Sequence, residues 1–557
     1  MRRICFLSIL LALPAFLFSF YLMFHTFSYD TRTQSMLIAG KAWSDFGAHI
    51  PMIRSFSYGP NLTRLFHGQP IESPLFPGEP IRYHFGFYAL VGALEKAGLR
   101  IDWALNLPSA LGFFLLICTI YSLTFLLFTN HYVAILSVLF FLFNGSLAFL
   151  RFFAGHPLNP HTISDIITNS RFPAFGPWDG NTITAFWNLN IYTNQRHLAL
   201  SYGIILTILF FLLRPIKTRI HYVMRYGILI AVLASLLLFF NYPAALILAM
   251  CCASVFIARK ETRLPLLIAG TLSLPALVLL TRVAHIGSDI VWQPGYLAAH
   301  TDPRSIVQFW IDNIGLHLVL IPVGLILAPK RIRRIFVGPL LVLCILPNLL
   351  RFSPDMINNH KFFNFVLIIG NMFSAYAVIY VLRQLGTIPR KQWRIPLQIF
   401  VGIVLIGMLT ASGFIDLFPI INDTMGAVPD IAANQDARFI LRHTPPDAVI
   451  ANSTWFYHPA SIAGRALYSG YTYFTWSYGY DQSAREQQLR AIYSAPTKTE
   501  LCALLSQDNV SYIELNPRPE AYLSPNWQLW NSLPPIYENQ ATHLTLYSRD
   551  TLCKSHN

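Results

Sequence analysis

Residues 104–128 read ALNLPSALGFFLLICTIYSLTFLLF, twenty-five consecutive positions without an Asp, Glu, Lys or Arg. At 1.5 Å per helical residue, such a run exceeds the roughly 20 residues that cross the ~30 Å hydrocarbon core of a bilayer. Residues 362–382 and 395–418 are comparably apolar. The rest of the 557-residue chain agrees, being 54% hydrophobic and only 12% charged. Soluble domains carry about 25% charged residues, so half the usual surface charge is missing, and the mean hydropathy is +0.47. The sequence therefore predicts a polytopic α-helical membrane protein.

The formal net charge of +14 does not point to nucleic acid. Its basic residues sit in short connectors between apolar runs: Arg214, Lys217, Arg219 and Arg225; Arg259, Lys260 and Arg263; Lys330, Arg331, Arg333 and Arg334; Arg383, Arg390, Lys391 and Arg394. That is the positive-inside pattern. Arg2 and Arg3 place the N-terminus in the cytoplasm, and the apolar run to about Met23 lacks a small-residue cleavage site, so it reads as a retained first span. The loop at 25–82 is then outside. Because 214–225 is inside, the loop at 153–193 is outside too, and an even number of crossings separates the two. The short stretch 84–98, ending in Glu95-Lys96, reads as interfacial, which restores parity. About eleven crossings follow, starting near residues 4, 104, 131, 197, 222, 243, 264, 313, 334, 361 and 394, and residues beyond about 420 lie outside.

This divides the chain into a membrane domain, 1–420, and a soluble C-terminal α/β domain, 421–557. The tail predicts helices at 430–443, 484–493 and 498–506, with strands at 448–451 and 510–515. Of seven cysteines, five lie in apolar runs, while Cys502 and Cys553 are free to pair on an oxidising side. No cysteine spacing supports a metal site.

Ionisable side chains at a membrane boundary are costly, so they are the first candidates for chemistry. Three outer segments hold nearly all of them. The first carries Asp45, His49, Arg54, Arg82 and His84; Asp45 and His49 are spaced i, i+4 and share a face of any helix there. The second carries Arg151, His156, His161, Asp165, Arg171 and Trp178-Asp179-Gly180, and ends at Arg196-His197. The third carries Asp355 and His360-Lys361. A carboxylate that takes a proton and cations that hold a phosphate are the parts of a group-transfer site. Each also has a plainer reading. Asp45 caps a juxtamembrane helix, or forms with His49 a metal site lacking its third ligand. Arg54 and Arg82 snorkel to headgroups, and His360-Lys361 anchors a helix start. The sequons at Asn61, Asn422, Asn452 and Asn509 are short enough to arise by chance.

Residues 82–128, RYHFGFYALVGALEKAGLRIDWALNLPSALGFFLLICTIYSLTFLLF, resemble a segment of the bacterial GT-C glycosyltransferases of the protein mannosyltransferase and lipid A aminoarabinose transferase type. In that family an Arg-Leu-Pro-Ser-Ala-Leu motif opens the span; here Asn106 stands where Arg is usual. The family also carries an acidic pair, often Asp-Glu, early in its first outer loop, and this chain has Asp45-Phe46 there. In the tail, 441–448, 464–471 and 476–481 resemble uncharacterised bacterial membrane proteins grouped with this fold.

The resemblance implies inverting transfer of a sugar from a polyprenyl-phosphate donor to a lipid, glycan or protein acceptor, on the outer face of a bacterial inner membrane and among its lipids. Asp45 would be the base, and Arg54, Arg82, Arg196 and Lys361 the phosphate contacts. His49, His84, His197 and His360 would contact substrate; no metal or other cofactor is implied. The C-terminal domain would cover the site or select the acceptor. Two rivals stand beside this reading. A transporter or flippase predicts ionisable residues in mid-span and an internal repeat, whereas these spans are nearly free of charge. An envelope assembly scaffold that has kept the fold predicts that Asp45 is dispensable.

Overall fold

The uncharged run lies within one 28-residue helix, Ile101–Phe128. Ahead of it Gly98, at φ +103°, takes a left-handed backbone that a Cβ would strain, and so separates it from the preceding helix. This computed structural model describes residues 2–176, 182–215, 219–285, 287, 290–389, 391–453, 455–516 and 523–553, with 2–11 and 391 as backbone only. Lys217, Arg390 and Trp178-Asp179-Gly180 fall outside the described residues.

The helices of the membrane domain used below are α1 (Arg2–Thr26), α2 (Trp43–Ser57), α3 (Gly86–Lys96), α4 (Ile101–Phe128), α5 (His131–Leu142), α6 (His197–Leu213), α7 (Ile220–Phe240), α8 (Tyr242–Ala258), α9 (Arg263–Val283), α10 (Pro303–Ile314), α11 (His317–Leu327), α12 (Lys330–Leu349), α13 (His360–Leu385) and α14 (Lys391–Ile421). Polar caps set several starts. The Asn130 side chain accepts from Tyr132 N–H to open α5, and Asn241, followed by Pro243, opens α8.

Helix stands at every expected start, yet among the described residues eleven crossings are not reached on length. α4, α7, α9, α12, α13 and α14 are long and apolar enough to cross a membrane, and α10–α11, bent by 85°, makes a seventh if taken as one span. α5, α6 and α8 are apolar but shorter; at 12 residues, α5 rises only about 18 Å. The 84–98 stretch forms the 11-residue α3, too short to cross. Close packing relies on small residues, as is usual between membrane helices. At Gly112 of α4, an added Cβ would meet the Leu200 Cβ of α6 at 2.6 Å.

The two ends of the bundle differ in chemistry. At one end three basic connectors meet: Arg259 donates to the Leu212 carbonyl at 2.8 Å and pairs with Glu261, which Arg331 approaches at 3.8 Å. At the other end His25 contacts the Ile421 carbonyl at 2.7 Å, joining the last turns of α1 and α14. There β1 (Phe27–Asp30), β2 (Ser35–Ala39) and β3 (Met425–Pro429) form an antiparallel sheet, with Phe27 opposite Ile38 and Leu37 opposite Ala427. Asn422 donates to the carbonyls of Ile167 and Asn169, bringing the 153–193 loop to this end as well.

The C-terminal segment adds α15 (Gln435–His443), β4 (Val449–Ala451), β5 (Ala466–Leu467), α16 (Thr472–Ser477), α17 (Gln482–Tyr493), α18 (Lys498–Gln507), β6 (Tyr512–Leu515), β7 (Tyr537–Glu538), β8 (Thr545–Ser548) and α19 (Arg549–Cys553). Its five-stranded sheet has the order β7-β8-β6-β4-β5, parallel where β4 meets β5 and β6, antiparallel elsewhere. The helix expected from residue 430 begins at Gln435, because Asn434 caps it by accepting from Ala437 N–H, and the Asp430 carbonyl closes a turn just before.

Cys502 of α18 and Cys553 of α19 form a disulfide across a separation of 51 residues. Closing so long a loop restricts the unfolded chain, so replacing both cysteines by serine is expected to cost about 2–4 kcal/mol of C-terminal domain stability. Denaturant titration of the full-length protein, followed by the domain's own unfolding step, measures the loss.

Candidate active site

At the end opposite the basic connectors, the membrane domain and the C-terminal domain enclose a cavity of about 440 Å³, the size of a small-molecule site. α2 supplies one wall. Asp45, in its first turn, and His49, one turn on, both line the space. Tyr83 and Tyr88, the Asn190–Gln195 segment ahead of α6, and His360 at the start of α13 supply the others. The C-terminal domain supplies Phe456, Tyr471, Tyr473, Phe474, Ser477 and Tyr478. It is seated by close contact: an added Cβ at Gly47 would lie 2.4 Å from the Phe456 ring. It is also latched, since the Tyr473 hydroxyl donates to Asp355 at 2.7 Å.

Asp45 is the one acidic residue among the described residues lining the cavity. Burial raises its pKa to about 6, and the Lys361 ammonium and the Asn194 amide hold it from rising further. A carboxyl with that acidity is ionised at neutral pH and still basic enough to take a proton. His49 is pushed down to about 3 by burial and by the field of Arg196, so it is a neutral imidazole. Its Nδ1 is buried without a hydrogen-bond partner, which leaves one polar atom of α2 for a ligand. The His84 and His197 Nε2 atoms lie 2.7 Å apart, one donating and one accepting. Burial, then the nearby His197 and Lys361, hold His84 well below the usual imidazole range.

Lys361 lies behind the lining, its Nζ 5.4 Å from the centre of the Tyr83 ring. It makes no ion pair with a described carboxylate. Its charge therefore remains available to the cavity. His360 sits between the side-chain amides of Gln195 and Asn364, at 3.2 and 2.9 Å.

The three candidate arginines have other partners. Arg54 is 1% exposed and pairs with Asp430 at 2.8 Å and Glu95 at 3.3 Å. Arg82 donates to the Gly479 carbonyl, pairs with Glu79 at 3.2 Å and covers the Tyr480 ring, so it anchors the aromatic segment above the cavity. Arg196 is fully buried between α1 and α4, donating to the Met23 carbonyl, the Thr26 hydroxyl and, at 3.2 Å, Asn106 Oδ1. Asn106, where the resemblance leads one to expect Arg, thus receives a guanidinium from the segment before α6. His156, His161 and Arg171 are exposed away from the cavity. Among the described residues, no group of three His, Cys, Asp or Glu side chains is placed to hold a metal ion.

Sequence reasoning gave no role to Tyr471, Tyr473 and Tyr478, although the alternating aromatics from 471 to 480 were the available signal. Asn194 and Phe456 carried none.

The fold is similar to that of the archaeal oligosaccharyltransferase AglB from Archaeoglobus fulgidus in complex with an inhibitory peptide and a dolichol-phosphate, at 14% identity over 91% of this chain and 69% of that one, TM-score 0.41. It is also similar to ArnT from Cupriavidus metallidurans bound to undecaprenyl phosphate, at 10% identity over 99% of each chain, TM-score 0.49. No protein-family model and no curated protein matches the chain.

Proposed function

We propose that this protein is an inverting glycosyltransferase that moves a sugar from a polyprenyl-phosphate donor to an acceptor hydroxyl on a lipid, glycan or protein. The observation that carries the reading is a single carboxylate, Asp45, in a walled cavity within the field of an unpaired lysine, Lys361. Asp45 accepts the acceptor's proton as its oxygen bonds to the sugar C1. The C1–O bond to phosphate breaks, and its electron pair leaves with the polyprenyl phosphate, whose charge Lys361 offsets. His49, as a neutral group, and His360 contact the substrate, and Tyr471, Tyr473 and Tyr478 form an aromatic wall for the sugar. No metal or cofactor enters the scheme. The polyprenyl carrier is the one implied by the resemblance of residues 82–128.

The basic connectors at one end and the disulfide-bearing domain at the other support a cytoplasmic N-terminus and an outer, periplasmic site in a bacterial inner membrane. The test is a panel of radiolabelled polyprenyl-phosphate sugars offered to the purified protein in nanodiscs. Saturable binding with acceptor-dependent sugar transfer is expected. Failure of the folded protein to bind any donor would instead favour the scaffold reading.

Lys361 sharpens the test. Because its charge lowers the Asp45 pKa, Lys361→Met is expected to move the acid limb of the pH–rate profile upward from about pH 6. It should also raise the donor KM about tenfold, as loss of one nearby positive charge does. An unmoved limb would place Lys361 outside the reaction.

A further inference from the structure

The C-terminal domain holds a second cavity, about 390 Å³, and Phe456 is a wall common to it and to the Asp45 cavity. From the geometry of this second space we infer that it binds a neutral saccharide, the part of the acceptor that extends away from the reacting hydroxyl.

The lining residues carry the argument. Trp455 presents an indole that is 42% exposed, a flat apolar face of the kind that covers the C–H face of a pyranose. Around it stand Asn434, Gln435, Asp436, Asn539 and Thr542. A sugar hydroxyl both donates and accepts, and carboxamides and hydroxyls offer both roles in return. Asp436 is 3% exposed and fixed in place by two donors, the Tyr537 hydroxyl at 2.8 Å and the Asn539 amide at 2.6 Å. Both bonds fall on Oδ1, so Oδ2 is left to an incoming hydroxyl. Asn434 engages its side-chain oxygen in capping α15. Its amide nitrogen and the exposed Gln435 side chain make no hydrogen bond to any described residue.

The same lining argues against other ligands. None of the described residues around the space is a lysine or arginine, so among them a phosphate or an anionic headgroup would meet Asp436 without a counter-charge. The two cavities meet at one ring, with Phe456 packed on Gly47, two residues after Asp45. An acceptor glycan seated on Trp455 would reach the base by passing the edge of this ring.

As an acceptor site this rests on the transfer reading; as a saccharide site it does not. Free di- and trisaccharides with hexose, hexosamine and pentose ends are titrated calorimetrically into the full-length protein in nanodiscs. Saturable binding is expected, weakened about tenfold in Trp455→Ala through loss of stacking and weakened also in Gln435→Ala. Both side chains are exposed, so neither change threatens the fold. Polyprenyl-phosphate-sugar binding should be unchanged in both, and Asp45→Asn should bind saccharide like wild type. Saccharide binding that persists when no sugar transfer is found in any assay upholds this site and removes the transferase reading. No saccharide binding by wild type, binding indifferent to Trp455→Ala, or preferential binding of an unglycosylated peptide overturns the inference.

Discussion

Asp45→Asn is expected to lower sugar transfer by about 10²–10⁴-fold, the contribution of a positioned base. Donor binding should stay within a few-fold of wild type. The amide keeps the size and hydrogen-bonding edges of the carboxylate but cannot accept the acceptor's proton. With the Asp45 pKa raised to about 6, wild-type activity should rise with pH through that value and then level off, since the ionised form is the active one. The residual activity of the variant should lack this limb. Stability should move the other way. A carboxylate whose folded pKa lies above its unfolded value penalises folding once it ionises, and the penalty is absent below about pH 4 and complete above about pH 6. The variant should therefore be at least as stable as wild type at pH 7, with any gain fading as pH falls. Transfer by Asp45→Asn at the wild-type rate would remove Asp45 from the chemistry and favour a scaffold.

Arg54→Met should have its largest effect on stability, about 3–5 kcal/mol, the cost of leaving a buried counter-charge unpaired. Arg54 ties three parts of the chain together: α2, which bears Asp45; Glu95 of α3, whose Oε2 also accepts from Ser57 at 2.6 Å; and Asp430, just past β3. Burial already raises the Glu95 carboxyl, and Arg54 is the main influence lowering it. Without the guanidinium, Glu95 must either protonate or remain charged in an apolar setting. Adding Glu95→Gln should recover part of the loss, because the buried charge goes with its partner. Thermal unfolding of the detergent-solubilised variants measures both effects. A stable Arg54→Met protein with a raised donor KM would instead return Arg54 to the phosphate.

The same residue shows where sequence reading stops. Hydropathy and charge placed helix at each expected start, because the bilayer constrains every residue of a span and leaves a local signal. The length of α5 was not legible: the chain turns at Phe143–Asn144, where Asn144 meets Asn371 of α13, a partner more than two hundred residues away. Asp45 and His49 were found together because one helical turn separates them. Arg54, Arg82 and Arg196 were grouped with them by chemistry alone, yet their partners are Asp430, Gly479 and Met23. Nothing local distinguishes an arginine facing a ligand from one facing a distant carbonyl. The aromatic segment from 471 to 480 contains the short helix α16, and only docking onto the membrane domain brings its rings to the cavity.

The pairing of β2 with β3 also bears on how the molecule is made. β2 is synthesised early, but its partner strand follows only after roughly 390 further residues, about 20–80 s of translation at about 5–20 residues per second. Throughout that interval β2 presents an unpaired sheet edge, a template for wrong partners. The cavity also lacks its aromatic cover until the last domain has emerged. A chain interrupted during synthesis thus lacks its cavity cover and is marked by an open edge that proteases and chaperones can recognise.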